Sequence, residues 1–385
     1  MLRWFTAGES HGPQLTVIME GVPAGVEVSS SELRQDLARR QGGYGRGKRQ
    51  QIETDQARLV GGVRGGVTLG SPIALVVENK DHEHWRADMS PEAESFRPRR
   101  PVTKLRPGHA DLAGALKYGH QDIRNVLERS SARETAARVA AGGIARKLLA
   151  AFGISIASCT QSIGEVGAPA PDGETGQIDL VAVEASPVRC ADPEATQRMI
   201  AAIDAAGAVG DTLGGTFRVV ARGVPPGLGS HVHWDRKLDG RLAMALISIN
   251  AVKAVEFGAG FDGISRPGSR FHDQIEATGG RFRHLSNRAG GITGGISNGE
   301  PIEVVAGIKP IATLKQPLQS ADLVTQEPVR AHFERSDVCV VPAAGVIGEA
   351  MVALTLADAF LEKFGGDSVG EIRHHLDGYL RGIGW

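Results

Sequence analysis

Along the first eighty residues the apolar positions fall in short runs that predict strands more than helices. Gln14–Glu20 and Ile73–Glu78 are rich in β-branched residues, and Gln51–Asp55 alternates polar with apolar side chains. One helix interrupts them. Ser29-x-x-Glu32 has the form of a capping box, and Leu33 with Leu37 gives an apolar pair one turn apart.

From Ala110 to Ala151 the spacing becomes helical. Leu112, Leu116, Ile123 and Leu127 form a stripe broken near Gly119, and Ser131-x-x-Glu134 has the form of a second capping box before an alanine-rich helix ending near Gly153. Asp192-Pro193 opens a helix closed by Gly207, Leu238, Leu242 and Leu246 mark another, and Gly348–Phe364 is read as a further helix. Thr216–Ala221 and Ile302–Ile308 read as strands, Val338–Pro342 as a buried strand, and Gly279–Gly299 as a glycine-dense loop. Strands and helices come in blocks and do not alternate strictly, which predicts an α+β fold. With no fixed-period repeat and no low-complexity linker, residues 1–385 read as one domain.

Composition narrows the class. Glycine is the outlier, with 51 copies against a usual share of ~7%, so many turns or close backbone approaches are expected. Aromatic residues make up 5%, too few for a base-stacking surface. Cys159, Cys190 and Cys339 are scattered and odd in number, as expected of reduced thiols. The N-terminus has no signal-like apolar run, and no stretch reads as approaching the ~18 apolar residues of a membrane span. A cytoplasmic protein is expected.

The net charge of −1 leaves no global field for a polyanion. Positive charge is local instead. Arg39, Arg40, Arg46, Lys48 and Arg49 form one acid-free stretch, and Arg97, Arg99, Arg100, Lys104 and Arg106 form another. Either could be a solvated surface; two such runs in a neutral chain favour a small anionic ligand. The segments Gln41–Arg49 and Asn79–Lys104, glycine-rich or charged, are candidate lids.

Two motifs mislead. Gly8-Glu9-Ser10-His11-Gly12 matches the nucleophile elbow of serine hydrolases, but a β-like run follows where the elbow needs a helix. Gly42–Lys48 is nearly a phosphate-binding P-loop, but Arg49 stands where Ser or Thr should bind magnesium. The His82/His84 and His231/His233 pairs lack a third ligand at a recognisable spacing, so no metal is expected. Arg129-Ser130-Ser131, at a predicted helix start, suits an anion. His11 and His109 are candidate proton donors, since imidazoles ordinarily titrate near ~6.5, although single histidines are often structural. Arg335-Ser336-Asp337 is either a plain ion pair or an anion-holding, proton-accepting group.

Taken together the motifs resemble those of the chorismate synthase family along essentially the whole chain. The matching segments are GESHG (8–12), RRQGGYGRG (39–47), RPGHAD (106–111), GHQDIRNVLERSSARETAARVAAG (119–142), AVEFGAGF (254–261), GGISNG (294–299), KPIATL (309–314) and ERSDVCVVPA (334–343). The resemblance implies a lyase that removes phosphate from 5-enolpyruvylshikimate 3-phosphate, with reduced FMN as cofactor and no net redox change. It implies that His11 protonates the leaving phosphate and His109 acts at flavin N1. Asp337, with Ser10 close by, would assist deprotonation through flavin N5. For FMN it points to Arg129, Ser130, Ser131, Asn250, Ala251, Gly295, Lys309, Pro310, Ile311, Ala312, Thr313 and Arg335. For the substrate it points to Arg40, Arg46, Arg49 and Arg133, with Arg40 and Arg46 also associated with NADPH as the indirect reductant.

The implied fold is a β-α-β sandwich, with helices packed between antiparallel sheets, assembled as a homotetramer. No segment is large enough for a flavin reductase, so the resemblance is to the monofunctional type, supplied with reduced flavin by a separate reductase. Two departures stand out. Asn250-Ala251 replaces the family's usual Gln-Ala, and the proline often found before Gly-Tyr-Gly-Arg-Gly is missing. A serine hydrolase using Ser10 and an RNA-binding protein using the basic stretches are the competing readings, the latter disfavoured by charge and aromatic content.

Overall fold

The computed structural model describes residues 1–47, 54–169, 178–279, 281–334 and 336–385. Two antiparallel sheets enclose a layer of helices. The first sheet runs in the order Arg3–Ala7, Gln14–Glu20, Ile73–Glu78, Ala57–Gly61. The second runs Val252–Phe257, Ile302–Ile308, Gly215–Arg222, Ser155–Ile163, Val166–Gly167. Alternation sets the inner faces: Leu15, Val17 and Met19 on one sheet and Phe217, Val219 and Ala221 on the other are fully buried.

The helix Thr135–Ala150 packs on the first sheet, the helix Val341–Phe364 packs on the second, and the two helices pack on each other. This is the expected α+β sandwich. Small residues let the helices meet closely. A Cβ built on Gly142 would lie 2.3 Å from Ala350 Cβ, and one on Gly348 would lie 2.6 Å from the Phe217 ring. Alanine ordinarily favours a helix over glycine by up to ~1 kcal/mol. Here the clash reverses the sign, and Gly142→Ala is expected to destabilise by roughly 1–3 kcal/mol, read from the midpoint of denaturant unfolding.

Local signals were mostly kept. Ser29 and Glu32 form the reciprocal capping box of the Ser30–Gln41 helix. Gly119 ends the Asp111–Tyr118 helix in the left-handed conformation, φ 71°, and a second helix follows at Arg124–Ser130. Pro193–Ala208 and Leu238–Ile247 are helical as expected.

Five expectations change. Val338–Pro342 is not a strand: Val341 and Pro342 open the long helix, which begins seven residues before Gly348 because proline suits a first turn. That helix is also long and apolar enough to span a membrane, contrary to expectation, but 89% of its most apolar stretch is buried between the sheets. The second capping box does not form. Ser131 instead accepts from Arg133 N at 3.3 Å and caps a short 3-10 turn, while Glu134 turns to Arg138. Within Gln51–Asp55, residues 51–53 lie outside the described residues, and Thr54 and Asp55 are not in a strand; the strand falls at Ala57–Gly61. The stretch Gly279–Gly299 contributes to two small hairpins.

Candidate active site

The loop between the first two strands turns at Gly8, φ 109°, where a Cβ would sit 2.3 Å from Gln14 O. It carries Ser10 and His11, and because Gln14–Glu20 follows as a strand, no nucleophile elbow exists here. Ser10 N donates to Glu128 O at 3.0 Å. His11 is clamped by one carboxylate: its backbone N donates to Glu128 Oε2 at 2.7 Å and its Nδ1 lies 2.8 Å from Glu128 Oε1. The imidazole stacks on Trp85 at 4.2 Å between centroids, and Nε2 lies 3.9 Å from Asp81. Burial pushes the Glu128 carboxyl up, but the His11 hydrogen bond and charge outweigh it and hold it below the usual carboxylate range.

His109 follows Gly108, φ 77°, just before the Asp111–Tyr118 helix. Its Nδ1 hydrogen-bonds Asp111 Oδ1, while Arg106 Nε and N each donate to Asp111 Oδ2 at 3.0 Å. Burial raises the Asp111 carboxyl, but hydrogen bonds from His109 and Arg106 win and hold it down at about 2. A carboxyl depressed on folding contributes stability above its ordinary value and loses it as pH falls through the folded value. Asp111 is therefore expected to cost the protein on the order of 2 kcal/mol between about pH 4 and pH 2. Denaturant unfolding of Asp111→Asn beside the parent checks this: the parent's acid-side slope should flatten in the variant.

The arginines converge through a carboxylate that sequence reasoning missed. Asp55, fully buried, pairs with Arg133 Nη1 at 2.5 Å and Arg40 Nη1 at 3.4 Å. Arg40 also donates to Thr135 Oγ1 and Ala132 O, and Arg133 Nε donates to Asn79 Oδ1 at 2.8 Å. Burial above all, opposed by Asp55 but aided by Arg133 and Arg46, pulls the Arg40 guanidinium down to about 10. Arg46 lies 3.4 Å from Asp337, whose Oδ1 also accepts from Gly47 N at 2.5 Å. Arg46 Nε is buried with no hydrogen-bond partner among the described residues. Arg49 and Arg335 lie outside the described residues.

These groups face a cavity of about 620 Å³, within the range of small-molecule and cofactor sites. Its wall brings together Ser10, His11, Arg40, Arg46, His109, Arg133 and Asp337 with Ser130, Ser131, Asn250, Ala251 and Lys309 to Thr313. Asn250 Nδ2 donates to Ser130 O at 3.0 Å, and its buried Oδ1 has no partner among the described residues. Ala251 adopts φ 68°, rare for a residue with a Cβ, and its carbonyl accepts from Lys309 N. Burial and the neighbouring Lys253 charge pull the Lys309 amine down.

Arg129 and Gly295 stand apart from the lining. Arg129 donates to Gly8 O and Thr6 O, and Gly295 packs against Lys237. The wall adds Arg124, Glu128, Lys253 and Glu334, to which sequence reasoning assigned no role, and Arg106, which it placed only in a basic stretch suited to an anion. Arg124 with Glu128 has the i,i+4 spacing of an ion pair, a local signal that could have pointed to them.

A model of the chorismate synthase family matches residues 2–361. The chain belongs to that family. It is 55% identical over 390 residues to the chorismate synthase of Trichlorobacter lovleyi, covering 99% of each chain. It is 56% identical over 384 residues to that of Desulforudis audaxviator, covering 100% of this chain and 98% of the other. A crystal structure of a chorismate synthase superposes with a TM-score of 0.80 at 40% identity, covering 99% of this chain and 98% of that one.

Chorismate synthase eliminates phosphate from 5-enolpyruvylshikimate 3-phosphate to give chorismate and requires a reduced flavin. The cavity suits both molecules. Ala343, Ala344, Ile347, Val252 and Ile308 offer an apolar wall to a flat ring system. Cationic arginines and lysines suit the anions, and Asn250 Oδ1 and Arg46 Nε are buried polar atoms with no partner among the described residues, as a site for a polar ligand would have.

Proposed function

We propose that this chain carries out the elimination with reduced FMN, held by Ser130, Ser131, Asn250, Ala251 and Lys309 to Thr313, with Arg129, Gly295 and Arg335 completing the set. The observation that carries the reading is the convergence of two carboxylate-held histidines, one carboxylate and a group of arginines on one cavity. When bound, reduced FMN supplies electron density as the allylic C–O bond breaks and recovers it afterwards.

The protein's own groups do the rest. Arg40, Arg46, Arg49 and Arg133 bind the phosphate and two carboxylates of the substrate, and the burial of Arg40 and Arg133 strengthens their charge-assisted hydrogen bonds. His11 donates a proton from Nε2 to the departing phosphate, because Nδ1 is engaged by Glu128. His109 holds a proton at the flavin's edge, with its ring set by Asp111. Asp337, which lines the same cavity as Ser10, accepts the proton that the substrate loses.

NADPH serves as indirect reductant through a separate flavin reductase, and the chain works in the cytoplasm as one domain spanning residues 1–385. A homotetramer is favoured by exposed apolar side chains such as Phe5, Phe261, Ile264 and Phe282. Analytical ultracentrifugation at micromolar concentration tests that assembly; a monomer would overturn it. The activity is tested by mixing anaerobic protein with reduced FMN and 5-enolpyruvylshikimate 3-phosphate, following chorismate absorbance and phosphate release. Equal formation of both, lost when FMN is omitted, is the expected result. No product from folded protein would overturn the reading.

A further inference from the structure

Among the described residues, every hydrogen bond that fixes the His11 ring is made with one side chain. Glu128 is 5% exposed and meets three donors: His11 N at 2.7 Å, His11 Nδ1 at 2.8 Å and Arg124 Nη1 at 3.3 Å. The groups facing His11 from packed segments are Asp81, 3.9 Å from Nε2, the Trp85 ring on one face, and His82, whose Nδ1 meets the His11 carbonyl at 2.9 Å. Trp85 is itself held by Arg99 and Arg124, whose guanidinium carbons lie 3.9 and 5.0 Å from the ring centroid. The ring is therefore fixed in plane and in tilt, and only Nε2 is left for the cavity.

We propose that Glu128 is a positioning residue of the reaction, keeping a proton on His11 Nδ1 so that the transferred proton leaves from Nε2 alone. A carboxylate at Nδ1 accepts the N–H there, as a partner on one ring nitrogen commonly sets the role of the other. Protonated His11 then carries N–H on both nitrogens. Giving the Nε2 proton to a phosphate oxygen leaves neutral imidazole as the Nδ1–H tautomer, already bonded to Glu128, with no ring rotation required. The proton count closes: one proton passes from imidazolium to phosphate, and Glu128 stays ionised throughout.

The chain of charges extends further. Arg124 bridges Glu128 to Glu334 at 3.1 Å, Glu334 lies 3.8 Å from Arg106, and Arg106 holds Asp111 and so His109. Both histidines thus share a single ion-paired frame, with Glu128 at the His11 end.

The proposal rests on His11 being the proton donor, so the test separates the two. Glu128→Gln keeps the shape and is expected to lower kcat by about ten- to a hundredfold, with KM for the substrate within about twofold. In a His11→Ala background the same change should cost nothing more, because its effect passes through His11. An equal loss in both backgrounds, or a near-normal Glu128→Gln, overturns the proposal. Near-normal turnover of His11→Ala overturns the donor reading instead. The positioning claim is then decided by magic-angle-spinning ¹⁵N spectra of histidine-labelled full-length protein, with His11→Ala assigning the signal. The neutral tautomer should be Nδ1–H in the parent and mixed in Glu128→Gln; an unchanged tautomer overturns it.

Discussion

His11→Ala and His109→Ala are each expected to lower turnover by about a hundredfold or more, the range for losing a placed acid–base group. FMN binding should stay close to that of the parent, because neither imidazole is needed to keep the cavity's shape: the loop of His11 remains tied through backbone N–H groups to Glu128, and Arg106 remains tied to Asp111. The expected signature is a fall in kcat with little change in KM, since the lost interaction develops in the transition state. The checks are the anaerobic chorismate assay and flavin titration by fluorescence. Near-normal turnover in both variants would remove the assigned roles and leave the family membership intact.

The second large effect concerns stability and lies away from the cavity. Glu349, on the long central helix, is fully buried and receives both terminal nitrogens of Arg39 at 2.8 Å and Ser158 Oγ at 2.7 Å. Arg146 and Arg189 each approach it to 3.4 Å. Burial pushes this carboxyl up, but the Arg39 charge and hydrogen bonds, followed by Arg146 and Arg189, hold it below its ordinary value. Glu349→Ala removes the shared anion and leaves guanidinium groups facing one another in a water-poor layer. Breaking one partner of a buried ion pair costs about 3–5 kcal/mol, and that loss is expected here. Urea or guanidinium midpoints measured at pH 7, with far-UV circular dichroism confirming a folded start, decide it. A midpoint within error of the parent would mean that the arginines find other partners, Arg39 in Glu184 and Asp36, for example.

Local chemistry made several parts legible. The Ser29 capping box, the Gly119 stop and the Asp192-Pro193 start were readable because each depends on residues within one helical turn. The Ser131 box failed for a non-local reason: Arg133 turns inward to Asp55 and Asn79, and the backbone tightens into a 3-10 turn in that place. The Val338–Pro342 strand failed because a continuous apolar run looks the same in a buried strand and a buried helix. Its surroundings, a sheet on one side and a helix on the other, bury nearly every face.

By itself, the sequence determined the family, the α+β class, the histidines and the basic stretches, because motif order and residue type are one-dimensional quantities. Only the tertiary structure decided which charges meet. Asp55 is 78 residues from Arg133, Glu128 is 117 from His11, and Glu349 is 310 from Arg39. Such pairings follow from the packing of two sheets on a shared helical layer, and no local propensity encodes the distance across that layer. The same packing removed Arg129 and Gly295 from the cavity wall while placing Arg106, Arg124 and Glu128 in it. Charge within a motif shows that an anion can be bound; where it is bound depends on which guanidinium groups the fold has already neutralised with a buried carboxylate.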